Sequence, residues 1–171
     1  MKKICILAAA AAVLMAVSAC SAGTPGSKSS GSSSQASQKQ ASSVSDQKMT
    51  DNLKGLEAYL SGNGFLSGDP SAMKAEVIGA KKGDRYQFSY EGKNNVTVEL
   101  YEYNKGALND SAKQVLNSVK SQGKFPLMGQ KISAVLSDSG KYLMIYKDTD
   151  SAEAHQKRAE QVKKLFAGFK A

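Results

Sequence analysis

The chain has 171 residues, and 23 Lys+Arg against 15 Asp+Glu leave it at +8 at neutral pH with its single histidine uncharged. Both cysteines, Cys5 and Cys20, fall in the first 20 residues, so the remainder carries no disulfide, no thiolate nucleophile and no thiolate metal site. The length suits one globular domain with an ordinary hydrophobic core and a short extension.

Lys2 and Lys3 precede an apolar run from Ile4 to Val17 (ICILAAAAAVLMAV), and the small residues Ser18 and Ala19 lead into Cys20. A positive start, an apolar stretch of this length and a small-residue exit make up an export signal. Val17-Ser18-Ala19-Cys20 resembles the lipobox of bacterial membrane lipoproteins, with Val in the aliphatic place where Leu is commonest. The resemblance implies that residues 1–19 are removed and that Cys20 becomes an acylated N-terminus carrying palmitate-like chains. The expected location is the cell membrane, lipid-anchored, on the extracytoplasmic side. An uncleaved membrane helix would want about 20 apolar residues and a basic flank; a secreted protein cut by ordinary signal peptidase is the other alternative. Each buried CH₂ is worth about 0.8 kcal/mol, so two or three acyl chains hold where one would slip off.

Residues 20–47 are the acylated cysteine and a tether of Ser, Gly, Gln, Ala and Lys with almost no large apolar side chain. Such a segment cannot bury enough surface to offset its ordering entropy and is expected to be disordered. As a flexible coil it spans roughly 29 Å. It looks like the Ser/Gly-rich leash of Gram-positive lipoproteins.

Residues 48–171 are expected to form a single α+β domain. Met49, Leu53, Leu56 and Leu60 recur at helical spacing, with Asp46 or Thr50 as cap and Gly62 as stop. Ala75 to Ala80 reads as a strand and Lys82-Gly83-Asp84 as a hairpin turn. Tyr86, Phe88 and Tyr90, then Val96, Val98 and Leu100, alternate with polar residues across the turn Glu91-Gly92-Lys93-Asn94, predicting a three-strand antiparallel meander. Leu108, Ala112, Val115, Leu116 and Val119 predict a second helix, begun near Asn109 or Asp110 and closed by Gly123. Phe125 to Met128 reads as a short strand held to an edge by Pro126, with Gly129-Gln130 as a turn. Ile132 to Leu136 and Lys141 to Lys147 make a hairpin around Asp138-Ser139-Gly140. Tyr142 to Tyr146 is apolar on both faces, which places it centrally. Asp150 and Glu153 predict a reciprocal capping box on a last helix whose stripe runs through His155, Ala159, Val162, Phe166 and Phe169.

The fold class is therefore α+β, a mostly antiparallel sheet of five or six strands with helices packed on one face, in the order α-βββ-α-β(β)β-α. Gly83-Asp84-Arg85-Tyr86-x-Phe88-x-Tyr90 and Gly140-Lys141-Tyr142-x-Met144-x-Tyr146 are faintly alike, a weak sign of internal duplication.

No catalytic constellation stands out. His155 lies on an apolar stripe, where a buried structural histidine is expected; a general base would want a carboxylate beside it. No Gly-x-Ser-x-Gly elbow occurs. Asp148, Asp150 and Glu153 put three carboxylates within six residues, but an EF-hand loop needs more acidic positions and a central glycine, and helix capping accounts for them; no metal and no other cofactor is expected. Asn95-Val96-Thr97 matches a glycosylation sequon inside a predicted strand of a chain with a bacterial export signal, and is discounted. Removing Lys2 and Lys3 from the formal charge leaves +6, and removing Lys28, Lys39 and Asp46 as well leaves +5 on the domain. That excess favours anionic lipid headgroups or wall polymers, although its scatter also suits a plain solvated surface. Nucleic acid is not an expected partner outside the membrane.

Six of the seven tyrosines, all but Tyr59, fall in predicted strands. If Val98 and Leu100 face the helices, Tyr101 and Tyr103 project from the other side of the sheet. With Tyr142 and Tyr146 they form the candidate binding surface, aromatic bodies with polar tips; the competing view is that they are half-buried sheet residues. The expectation is a lipid-anchored, non-catalytic binding or interaction lipoprotein that meets an envelope protein or an anionic wall or lipid surface. The alternatives are a cell-wall-directed hydrolase, which would need two acidic side chains converging in a cleft, and a structural accessory subunit of an envelope complex. A complete solute-binding protein would need two lobes and a longer chain.

Overall fold

The structure, a computed structural model, describes residues 44–171; the signal, Cys20 and the tether up to residue 43 lie outside the described residues. Three α-helices and seven strands follow in the order α1 (Leu53–Gly62), β1 (Ser71–Ala72), β2 (Lys82–Phe88), β3 (Val96–Glu102), α2 (Asp110–Gln122), β4 (Lys124–Leu127), β5 (Gln130–Ser133), β6 (Val135–Leu136), β7 (Tyr142–Asp148) and α3 (Glu153–Ala167). The main sheet is antiparallel, ordered β1-β2-β3-β7-β6, and β4 and β5 form a separate hairpin. The α+β class and the mostly antiparallel sheet are those expected from the sequence. The centre is β3, which pairs with β2 on one side and β7 on the other, so that Val98 lies between Tyr86 and Tyr146.

Alternation on β3 and β7 separates two cores. Val96, Val98, Leu100, Tyr142 and Met144 point to one face and pack with Leu56 and Leu60 of α1, Val162 and Phe166 of α3, and Phe169. Tyr101, Tyr103 and Leu143 point to the other and pack with Ala112, Val115, Leu116 and Val119 of α2 and with Phe125. The helices thus cover both faces, correcting the expectation of helices on one. The reason is that β7 is apolar at successive positions from Tyr142 to Tyr146 and the alternating β3 ends in the apolar pair Leu100-Tyr101, so each face demands cover.

Several local readings also shift. Ala75–Ile78 is a 3₁₀ turn closed by Gly79 at φ 72° rather than a strand, and Lys82-Gly83-Asp84 is the start of β2 rather than a hairpin turn. The strand that pairs there is Ser71–Ala72. Gly83 is needed for space: a Cβ on it would lie 2.6 Å from the Tyr101 ring. Helix α1 is capped by Asn52, whose side chain accepts the Gly55 N–H, in place of Asp46 or Thr50; α2 starts at the cap Asn109 and stops at left-handed Gly123, as its sequence indicates. The turn of the β4–β5 hairpin is Met128-Gly129, both at positive φ, one residue before the expected one. At α3 the capping box does not form: Asp150 accepts the Ala152 N–H, and Glu153 pairs with Lys157 at 2.6 Å.

The predicted strand from Ile132 to Leu136 is broken at Ala134, so its first half joins β4 and its second half joins β7. Strands β2 and β7 both flank β3 and feed the same core, which accounts for their similar alternation; Gly83 lies within a strand, whereas Gly140 lies in a turn at φ 67°, so the two segments are not equivalent repeats. Residues 44–47, assigned to the tether, belong to the domain. Val44 and Asn63 exchange hydrogen bonds, N–H to Oδ1 and Nδ2 to O, each 3.1 Å, and Asp46 Oδ2 accepts the Lys170 N–H at 2.9 Å.

Candidate functional site

Where α2 ends, Gly123 turns the chain out of the helix, and where β6 ends, Ser137–Gly140 turns it into β7. The two turns leave between them an open groove of about 680 Å³, within the usual range of ligand clefts. Its apolar wall is Leu116 and Val119 of α2 with Leu136 of β6; Lys105 and Lys120 stand at the rim, with Asp138 as the carboxylate among them. Lys105 is placed by a 2.6 Å bond from its Nζ to the Ser139 carbonyl. Ser137 Oγ accepts the Tyr142 N–H at 3.0 Å and lies 3.0 Å from Ser139 Oγ, which holds the turn.

The main chain of β6 contributes to the groove. The Ser137 N–H bonds to the Tyr142 carbonyl, and Leu136 opposes Leu143. Bonded and non-bonded pairs alternate along an antiparallel ladder, so the N–H and C=O of Leu136 point away from β7. Ala134 and Asp138, which share that orientation, give their N–H groups to the Gly123 and Ala167 carbonyls. Because β6 pairs only with β7, the Leu136 N–H lies outside the sheet ladder.

Lys105 also borders a smaller hollow of about 330 Å³ with Lys81, Lys141 and Glu102. Glu102 is buried; one oxygen accepts the Leu53 N–H at the start of α1, 3.1 Å away, and the other lies 3.8 Å from both Lys81 and Lys141. A carboxylate at a helix N-terminus is stabilised by the unpaired amides there, so this group ties α1 to the sheet. Lys141 also pairs with Asp51 at 3.1 Å. The bond from Tyr142 Oη holds the Asp51 carboxyl below its ordinary range.

The four tyrosines singled out from the sequence do not form a surface. Tyr103 is fully buried and Tyr101 nearly so, under α2, while Tyr142 is fully buried on the opposite face. Tyr146 shares the face of Tyr142, half-buried at the edge of that core. Odd positions of β3 and even positions of β7 lie on opposite faces of the sheet, because Tyr101 opposes Leu143 while Glu102 opposes Tyr142. The phenol of Tyr103 donates to the Ile78 carbonyl at 3.2 Å and that of Tyr101 to Glu99 at 2.8 Å, and burial pushes both well above the ordinary tyrosine value.

His155 has the carboxylate partner that the sequence did not reveal. Its Nδ1 lies 2.8 Å from Asp148 Oδ2 and its Nε2 3.6 Å from Asp150 Oδ2. The Tyr90 ring meets the imidazole edge-on at 5.0 Å, and Arg158 stacks on the far side of the core edge, 4.3 Å over Tyr90. The bond to Asp148 raises the His155 pKa against the opposing effect of burial. Burial pushes Asp148 up, but donors from the Asp150 N–H, His155 and Asn95 outweigh it and leave its pKa lowered. Asn95, the sequon residue, is buried and bonds Tyr90 at both N–H and C=O, so it shapes the β2–β3 turn. This is a closed structural network: both Asp148 oxygens are occupied, and the histidine is buried. Among the described residues, no three acidic, histidine or cysteine side chains converge as metal ligands.

A second acidic pair, Glu57 and Asp84, also converges. Lys54 lies 2.8 Å from Glu57 and 3.3 Å from Asp84, and burial, reinforced by the neighbouring Asp84 carboxyl, raises the Glu57 pKa. Neither carboxylate lines the two grooves, and Glu57 Oε1 is buried without a hydrogen-bond partner among the described residues. The groove itself escaped sequence reasoning because its walls come from residues 105–140, which no local period links; Gly123 and Gly140 mark only that the chain turns there. Comparison with protein-family models, with curated proteins and with solved structures finds no match.

Proposed function

We propose that the protein is a membrane lipoprotein, acylated at Cys20 and facing the extracytoplasmic side, whose domain binds a partner through the groove between α2 and the β6–β7 hairpin without catalysing a reaction. The groove carries the binding reading: it pairs an apolar wall with two lysines and a main-chain donor at Leu136 outside the sheet ladder. The basic excess of the domain favours anionic chemistry in the partner, which suits an envelope protein or an anionic wall or lipid surface. The converging acid groups lie away from the groove, Glu57 and Asp84 beside Lys54 and Asp148 beside His155. The anchor rests on Val17-Ser18-Ala19-Cys20 following a signal-like run.

Metabolic labelling with a palmitate analogue tests the address. Wild-type protein should take label and sediment with membranes, and Cys20→Ala should lose the label and leave the membrane or accumulate unprocessed. Equal labelling of the variant would overturn the anchor.

A further inference from the structure

Resting on the reading of this groove as the binding site, we propose that its occupant is an extended, acidic peptide segment of an envelope protein, added as a short strand to the free edge of β6. Three features select a polypeptide strand over a compact ligand. Strand β6 is the edge of the main sheet and pairs only with β7. The outward N–H and C=O of Leu136 present one donor and one acceptor in strand geometry, which an extended chain satisfies with a single residue of its own. The bond from Ala134 N–H to the Gly123 carbonyl shows the line such a strand would follow, because Gly123 directly precedes β4 and already continues the β4–β5 ladder onto β6.

The window has ends. The Gly123 and Ala167 carbonyls close the edge at Ala134 and Asp138, about 13 Å apart at the rise of a strand. Three residues of incoming chain therefore pair within it, opposite Val135, Leu136 and Ser137. Side chains on the α2 side meet Leu116 and Val119 and want to be apolar, and a carboxylate at the Ala134 end reaches Lys120, while Lys105 is held on the Ser139 carbonyl beside Asp138. Asp138 disfavours acid at its own end, which gives the segment a polarity. A short pairing window with charged flanks makes a modest, salt-sensitive contact, and a membrane anchor compensates for low affinity by raising the effective concentration of a neighbouring partner.

The test uses the full chain purified in neutral detergent. The probes are a fluorescein-labelled, end-capped heptapeptide alternating valine with glutamate, the same peptide methylated on every amide nitrogen, and polyglycerol phosphate. Anisotropy should show saturable binding of the first peptide, about tenfold or more weakened by methylation, as expected for loss of a desolvated main-chain bond. Lys120→Glu, an exposed change on α2, should weaken it comparably, and a valine–lysine peptide should recover binding to that variant. Equal binding of the methylated peptide would overturn strand addition while leaving the groove as a binding site. Binding of polyglycerol phosphate that Lys120→Glu abolishes, with no binding of the peptide, would likewise overturn the peptide and retain the groove. Failure of both probes to bind at millimolar concentration would overturn both readings.

Discussion

His155 and Asp148 hold each other 2.8 Å apart beneath Tyr90, and the pair makes folding sensitive to pH. The histidine pKa is raised above its ordinary value of 6.5, so its contribution is complete below that value and disappears as pH rises through the folded-state value. The Asp148 pKa is lowered below its ordinary 3.8, so its contribution is complete above that value and is lost as pH falls through the folded-state value. Glu91 and Asp150 add to the field that favours the imidazolium. Urea midpoints measured from pH 5 to 9 should therefore fall on the alkaline side for wild type, and His155→Gln should flatten that limb. Parallel curves for the two proteins would remove the pair from the account. The sequence placed His155 on a buried stripe, but its partner sits seven residues upstream at the end of β7, and only the turn between strand and helix brings them together.

At the level of elements, the successive apolar positions of β7 and the Leu100-Tyr101 pair that ends the alternation of β3 decide the architecture. A strand with one apolar face asks for one layer of helices; these two strands have two, and α2 supplies the second layer. Tyr103 belongs to that layer, fully buried, with its hydroxyl on the Ile78 carbonyl. Tyr103→Ser should destabilise the domain by about 3–5 kcal/mol, the range for emptying a buried aromatic site, read as a drop in the urea midpoint with little change in slope. A midpoint within experimental error of wild type would mean that this side chain is a surface contact after all. Helix α2 and its caps were legible from Asn109 and Gly123, the β2–β3 hairpin from its alternation, and the turn into β7 from Asp138-Ser139-Gly140. The short β1 and the 3₁₀ turn before β2 were not, because a two-residue strand has no period and Ala75–Ile78 has the apolar content of either structure.

For the molecule as a whole, both ends of the domain meet. Val44 is clamped by Asn63, and Asp46 accepts the Lys170 N–H beyond α3, so residues 44–46 are part of the folded body. Removing the chain through Lys48 should cost about 1–3 kcal/mol, from the loss of these bonds, measurable by thermal or urea unfolding; an unchanged midpoint would show that the strap carries no load. Composition and local period, properties of neighbours along the chain, were enough for the α+β class, for both ends of α2 and for the end of α1 at Gly62. The burial of the tyrosines, the partner of His155, the Glu57–Asp84 approach and the groove beside Leu136 depend on which distant segments share a face. That was set by strand register and by α2 crossing to the second face of the sheet, and neither leaves a mark on any single stretch of residues.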